Sequence, residues 1–321
     1  MGGRNRVLIT GGAGFIGSHI CDELISRDIS VVCLDNLITG KYANIAHLVG
    51  NERFEFIEGD IRDFDTCISA MGNCDAVNHQ AALGSVPRSV ADPVTTHSHN
   101  ATGTLNIFHA AQKLGVKRVV YASSSSTYGD EASLPKIESR IGTPLSPYAV
   151  TKRISEMYST VFSSLHGMEL IGLRYFNIFG PRQDPEGMYA AVIPKFTSMI
   201  LNQEIPQIHG DGEQTRDFTY ISNAVNANIN ALFTENKKAF GEVFNIACGD
   251  RISINRLFEL IMEIISNDHP EISDIGPVHV ESRAGDVKHS LADIKMAVDL
   301  LDYSPEVDVE DGLISTVRSF Y

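Results

Sequence analysis

Tyr148 and Lys152, in Ser146-Pro147-Tyr148-Ala149-Val150-Thr151-Lys152, have the types and spacing best suited to proton chemistry in this chain. Ser146 suits a helix cap and Pro147 the first helical position, so the spacing predicts a helix opening here. A phenol and an ammonium four residues apart then share one face, with Cβ atoms about 5–6 Å apart. A free tyrosine titrates near ~10 and is a poor base at neutral pH. A neighbouring lysine cation, helped by any second positive group, favours the phenolate and brings it towards the working range. The pair is also what an exposed Tyr near a Lys on an ordinary helix looks like, so the surrounding elements must decide.

Arg6-Val7-Leu8-Ile9-Thr10 reads as a strand that runs into Gly11-Gly12-Ala13-Gly14-Phe15-Ile16-Gly17. Ile16, Ile20, Leu24 and Ile25 then recur at helical spacing. Glycines at such a strand-to-helix turn let backbone N–H groups and the helix N-terminus hold a pyrophosphate. Gly12, Gly14 and Gly17 fit G-x-G-x-x-G, and Gly11, Gly14 and Gly17 fit the wider spacing. The next strand, Ser30 to Leu34, ends at Asp35-Asn36, where an acid should meet adenosine ribose hydroxyls. Asp35 would repel a 2′-phosphate, so NAD is expected over NADP. After a third strand, Phe54 to Ile57, Asp60 can either accept from an adenine amino group or cap the helix that follows.

The length of 321 residues suggests two lobes, and 43% hydrophobic with 21% charged residues describes a soluble globular chain. A formal net charge of −14 argues against a nucleic-acid surface, so an anionic substrate would need a few placed Arg or Lys residues. The start Met1-Gly2-Gly3-Arg4-Asn5 leads directly to the first strand, no apolar run is long enough for a bilayer, and neither signal peptide nor membrane partner is expected. The cysteines at 21, 33, 67, 74 and 248 lack metal spacing and suggest reduced thiols in the cytoplasm. His79, His97 and His99 form no ligand set, so no metal is expected.

Further strands are expected at Ala76 to His79, Arg118 to Ala122 and Glu169 to Arg174, with helices over Pro93 to Leu114 and Pro147 to Leu165. This alternation implies an α/β fold with a doubly wound parallel sheet of Rossmann type and right-handed crossovers. Ligands on such a sheet sit beyond the strands' carboxyl ends. Those ends carry the glycine loop, Asp35, Asp60, Ala81-Ala82-Leu83, Ser123-Ser124 and Tyr175-Phe176-Asn177. Residues 1–177 and 218–247 are expected to form the dinucleotide domain. Residues 178–217 and 248–321 should form a smaller, mostly helical substrate lobe, with a helix over Ile193 to Leu201 and two more after 248.

Together these residues resemble the extended short-chain dehydrogenase/reductase family, specifically its NAD-dependent nucleotide-sugar 4-epimerases. The markers are the glycine loop, Tyr121 to Gly129, Tyr148 with Lys152, Arg174-Tyr175-Phe176-Asn177, Arg216-Asp217-Phe218 and Arg283-Ala284-Gly285-Asp286. The likeness is greatest to the UDP-N-acetylglucosamine 4-epimerases of bacterial polysaccharide pathways. It implies that Tyr148 is the general base at the sugar O4, that Ser124 shares that hydrogen bond, and that Lys152 binds the nicotinamide ribose. It extends the cofactor site to Phe15, Ile16, Thr39, Gly40, Ile61, Gln80 and Asn100, with Tyr175 and Phe176 along the nicotinamide pocket. For the substrate it implies Arg216 and Arg283 as a diphosphate clamp, Asp286 at the uridine ribose and Asn177 at the diphosphate or sugar. Gly84, Ser85, Ser125, Ala191, Val192 and His209 complete that set, and a homodimer is implied.

Related 4,6-dehydratases use carboxyls at the positions of Ser125 and Ser126, and the related UDP-glucuronate decarboxylases carry a Glu at that of Ser126, so these serines favour simple epimerisation through a 4-keto sugar. Ser290 stands where some galactose-type enzymes have a bulky Tyr, which leaves room for a 2-acetamido group. Interconversion of UDP-GlcNAc and UDP-GalNAc is therefore expected. The UDP-glucose pair, the uronic-acid counterpart and a non-catalytic NAD(P)-binding sensor or scaffold remain as alternatives.

Overall fold

The computed structural model describes residues 5–185, 190–272, 275–281 and 288–321. Val7, Leu8 and Ile9 of β1 (Arg6–Thr10) are wholly buried, as befits a central strand covered on both faces. The chain continues through α1 (Phe15–Ser26), β2 (Ser30–Asp35), β3 (Phe54–Glu58), α2 (Phe64–Met71) and β4 (Ala76–His79). Two short helices, α3 (Val86–Ala91) and α4 (Pro93–His97), lead into a π-helical turn, Ser98–Thr102, and α5 (Gly103–Leu114). Then follow β5 (Arg118–Ser124), α6 (Pro147–His166), β6 (Glu169–Tyr175), α7 (Val192–Leu201), α8 (Ile221–Phe233) and β7 (Val243–Ile246).

The seven strands make one sheet in the order β7-β6-β5-β4-β1-β2-β3, every neighbouring pair parallel. The strand order reverses between β1 and β4, which opens a crevice at their carboxyl ends. Thr10 stands there, opposite Leu34 on one side and His79 on the other. Helices α1 and α8 pack one face of the sheet, through Ile20, Leu24, Ala224 and Ala227. The other face meets α2 and α5 through Cys67, Met71, Ile107 and Phe108.

Beyond the sheet, Ile193 and Phe196 of α7 join Leu257 and Ile261 of α9 (Ile254–Asp268) in a separate cluster. Helices α10 (Lys295–Leu301) and α11 (Val309–Arg318) follow, so the described residues after 248 hold three helices and not the expected two. Helix α10 is short, and its face repeats too few times for a periodic signal to emerge. The single helix expected over 93–114 is broken by the π turn. There Asn100 turns its side chain to the Leu83 backbone, accepting from the N–H at 2.7 Å and donating to the carbonyl at 3.1 Å. No helix among the described residues is long and apolar enough to cross a membrane.

A buried ion pair ties α6 to β6. Arg174 and Glu156 meet at 2.7 Å with both side chains 2% exposed. Ser123 and Arg153 also donate to Glu156, at 2.6 and 2.8 Å. Removing one partner strands the other charge in the core, which costs about 3–5 kcal/mol. Glu156→Gln should lose that much unfolding free energy in a urea titration, and a loss below about 1 kcal/mol would contradict the burial argument.

Candidate active site

The carboxyl ends of β1, β2, β4, β5 and β6 border one cleft of about 750 Å³. Gly11 enters it with φ +69°, and a Cβ there would lie 2.6 Å from the Ala81 nitrogen. At Gly17 a Cβ would fall 2.2 Å from the Gly11 carbonyl oxygen, so the turn closes only on glycine. Gly14 caps α1 without any capping side chain, leaving the first-turn N–H groups of the helix for an anion. Gly12 faces away, against Cys33 of β2, which selects the wider glycine spacing as the one that lines the cleft. Asp35 accepts from the N–H groups of Ala13 and Leu37, at 3.0 and 2.8 Å, and burial raises its carboxyl pKa against both bonds. An uncapped helix end and an acid at the tip of β2 fit a dinucleotide lacking a 2′-phosphate.

Along the same cleft lie Phe15, Ile16, Asn36, Thr39, Gly40 and Ile61, and further on Gln80, Ala81, Ala82 and Leu83. Tyr175 is fixed by its hydroxyl, which donates towards Asn228 at 3.0 Å and Gln80 at 3.2 Å. Asn100 and Phe176 do not reach the surface of the cleft. Asn100 shapes it through Leu83, while Phe176 is fully buried against Tyr128. Asp60 is also off the cleft surface, and the cap of α2 is Asp63. Arg62 binds the Asp60 carboxylate at 2.7 Å and, with Asn36, holds its pKa well below the usual range.

Ser146 caps α6 through the Ala149 N–H at 3.1 Å, with Pro147 at the first position, as the spacing predicts. Lys152 is 6% exposed and donates to the Ala122 carbonyl at 2.8 Å. Its ammonium lies 5.9 Å from the centre of the Tyr148 ring. Burial lowers the Lys152 pKa to about 8, and the Glu156 carboxylate opposes that shift. The Tyr148 phenol departs from expectation: burial raises its pKa, opposed by a hydrogen bond with Ser124. Desolvation disfavours the phenolate here, and the lysine spends its hydrogen bond on a backbone oxygen. Ser124 in turn accepts from the backbone N–H of Ser126 at 3.2 Å and from its hydroxyl at 3.0 Å. With its lone pairs so engaged, Ser124 is free to direct its own proton towards Tyr148.

Of the expected substrate residues, Gly84, Asn177 and Ala191 line the cleft with Ser124 and Tyr148. Ser85 caps α3, Ser125 opens a 3-10 turn, and Val192 begins α7. His209 pairs with the Glu281 carbonyl at 3.1 Å, and Arg216 donates to the carbonyls of Thr215 and Lys288, at 3.0 and 3.3 Å. Ser290 donates its N–H to Thr215 at 3.0 Å. None of these last three borders the cleft directly. Arg283 and Asp286 lie outside the described residues. Sequence reasoning does not reach Lys41, Arg88, His99, Gln183 or Asp184, which also line the cleft. Lys41 and Arg88 closely follow Gly40 and Gly84, so position beside expected residues was the available signal. His79 is buried neutral between Thr10 at 2.6 Å and Thr104 at 2.9 Å, its pKa lowered to about 3 by burial and by Lys152. No cluster of three metal-ligating side chains occurs among the described residues.

A model of the NAD dependent epimerase/dehydratase family matches residues 7–247. The chain belongs to that family. It is 34% identical to the UDP-glucose 4-epimerase of Mycolicibacterium smegmatis, over 98% of each chain. Among solved structures, it shares 42% identity and a TM-score of 0.91 with a UDP-N-acetylglucosamine 4-epimerase from Methanobrevibacter ruminantium, covering 98% of both chains. A Bacillus cereus UDP-glucuronic acid 4-epimerase, solved with UDP-glucuronic acid and NAD, is 33% identical with a TM-score of 0.89 and 98% and 100% coverage. The cofactor of this epimerase/dehydratase family member is NAD.

The pH dependence follows from Lys152, whose folded pKa lies below the usual lysine value. As pH rises through about 8 the ammonium loses its proton, and the phenolate loses its cationic neighbour. The rate should therefore fall above pH 8 with unit slope, and Lys152→Met should lower it by at least about 100-fold. A flat profile up to pH 10 would refute that role.

Proposed function

We propose that this chain interconverts UDP-N-acetylglucosamine and UDP-N-acetylgalactosamine by epimerisation at C4. C4 epimerisation of a nucleotide sugar is the activity named for the relatives described above, which match almost the whole chain. The acetamido preference is the finer step, and space supports it. Gly84 lines the cleft, and a Cβ built on it would meet nothing within 4 Å. Ala82, Ala190 and Ala191 also line the cleft with small side chains. A C2 acetamido group needs such volume, whereas a plain hydroxyl does not.

Held by Gly11, Gly14, Gly17, Asp35 and Lys152, oxidised NAD would supply the hydride acceptor for C4 and a second positive charge in the cleft, one that Lys152 alone does not replace. Tyr148 takes the proton from O4 and returns it after the 4-keto sugar has presented its other face. Ser124 shares that proton through a hydroxyl oriented by Ser126. Lys152, held on Ala122, keeps positive charge beside the Tyr148 ring. Asn177 faces the cleft near Asp184 and Ala191, a place suited to the diphosphate or the sugar. Hydride leaves and returns to the same carbon, so no net redox change follows.

Incubation with UDP-GlcNAc, followed by chromatography of the products, should yield UDP-GalNAc without accumulation of NADH. Gly84→Tyr, which would fill that open space on the cleft wall, should depress turnover of the acetylated pair by about tenfold or more over the UDP-glucose pair. Equal losses on both would reject the pocket reading, and preferred turnover of UDP-glucuronate would assign the uronic-acid alternative.

A homodimer through α6 is part of the same proposal. Met157, Val161 and Leu165 are 58%, 46% and 71% exposed at successive turns of that helix. Beside them an apolar groove of about 370 Å³ runs between α6 and the helix of Ala101 and Leu105. Met157→Glu combined with Leu165→Glu should shift the protein to monomer mass in analytical ultracentrifugation. An unchanged mass would place the dimer elsewhere or exclude it. The five free cysteines, four of them buried, support a reducing compartment such as the cytoplasm.

A further inference from the structure

Asp217 lies wholly buried, next in the chain to Arg216. Its carboxylate accepts three backbone N–H groups from two distant segments. Cys248 donates at 3.0 Å and Gly249 at 3.2 Å, both from the loop that leaves β7. Ala292 donates at 3.2 Å, from the stretch that carries Ser290. The Asp217 carbonyl accepts from the Asn177 side chain at 2.9 Å. Ser290 is tied to the same place, through its N–H to Thr215. Around this point Phe176, Ala247 and Ala292 close a small apolar cluster with Tyr128, which excludes water from the carboxylate.

We infer that Asp217 is a positioning residue for substrate, tying the segment of Asn177, which lines the cleft, to the loop after β7 and to the stretch around Ala292. The inference rests on the proposed role of Asn177. Three converging N–H groups require an acceptor with more than one oxygen, and no neutral side chain of this size supplies two. Burial pushes the carboxyl pKa up to about 7, opposed by the same three bonds, which favour the acceptor-only carboxylate against its desolvation cost. Tyr148, Lys152, Ser124 and the glycine loop hang on β1, β5 and α6, and none of the hydrogen bonds of Asp217 goes to them. Loss of its charge should therefore weaken sugar-nucleotide binding and largely spare the chemical step and the cofactor.

Asp217→Asn is isosteric, but its amide nitrogen would turn a donor towards donors. Steady-state kinetics on the NAD-bound protein should show KM raised on the order of tenfold, with kcat within about threefold of wild type. The NAD content of the purified protein should stay unchanged. The sugar used is whichever of UDP-GlcNAc, UDP-glucose and UDP-glucuronate the wild type turns over, so an error in the proposed substrate appears in the wild type alone. Should Asp217→Asn fail to fold, Ala292→Pro, which deletes a single donor, decides with a smaller rise in KM. An unchanged KM, a joint fall in kcat and NAD content, or failure of both variants to fold would overturn the inference.

Discussion

The site depends on a lysine ammonium kept out of water. Lys152 has one backbone carbonyl as hydrogen-bond partner and a carboxylate one helical turn away. An isolated charge so placed would shed its proton, and here burial already brings its pKa to about 8. Glu156 holds it from falling further, and Glu156 is itself kept ionised by Arg174, Ser123 and Arg153. The sheet thus carries a chain of charges from β6 through α6 to the catalytic helix face. Each member is expensive to bury alone, and together they fix where the positive charge stands.

The parallel sheet answers the complementary need, which is to bring separate chemistries to one edge. Because strand order reverses at β1 and β4, the glycine turn and the Gln80–Leu83 segment diverge and leave the crevice between them. The acid at the end of β2 and the serine at the end of β5 border the same space. The buried amide and phenol set of Asn78, Gln80, Asn228 and Tyr175 then stiffens one wall. With its walls rigid, rotation during epimerisation falls to the sugar.

Much of this was legible in the residues themselves. Six of the seven parallel strands follow from short apolar runs, and the Ser-Pro cap placed the start of α6 to the residue. The electrostatics were less legible. A lysine four residues from a tyrosine suggests a depressed phenol, yet the sign depends on desolvation, which only three-dimensional packing sets. Asp60 carried an ambiguous signal, and the structure commits its carboxylate to Arg62 and Asn36, with Asp63 as the cap. Contributors such as Arg88, on the short helix α3, and His99 follow no spacing rule because tertiary contacts alone bring them to the cleft. His99 arrives on the π turn, an irregularity that periodicity averages away.

At the mouth of the cleft, Lys41 and Asp184 form an ion pair of 3.1 Å with about half of each side chain in solvent (53% and 43%). Such a bond contributes less than about 1 kcal/mol, comparable to thermal energy. It therefore parts and re-forms on the timescale of side-chain and loop motion, far faster than a typical catalytic turnover. The entrance behaves as a turnstile and not as a door, and residence inside must be decided by the deeper walls.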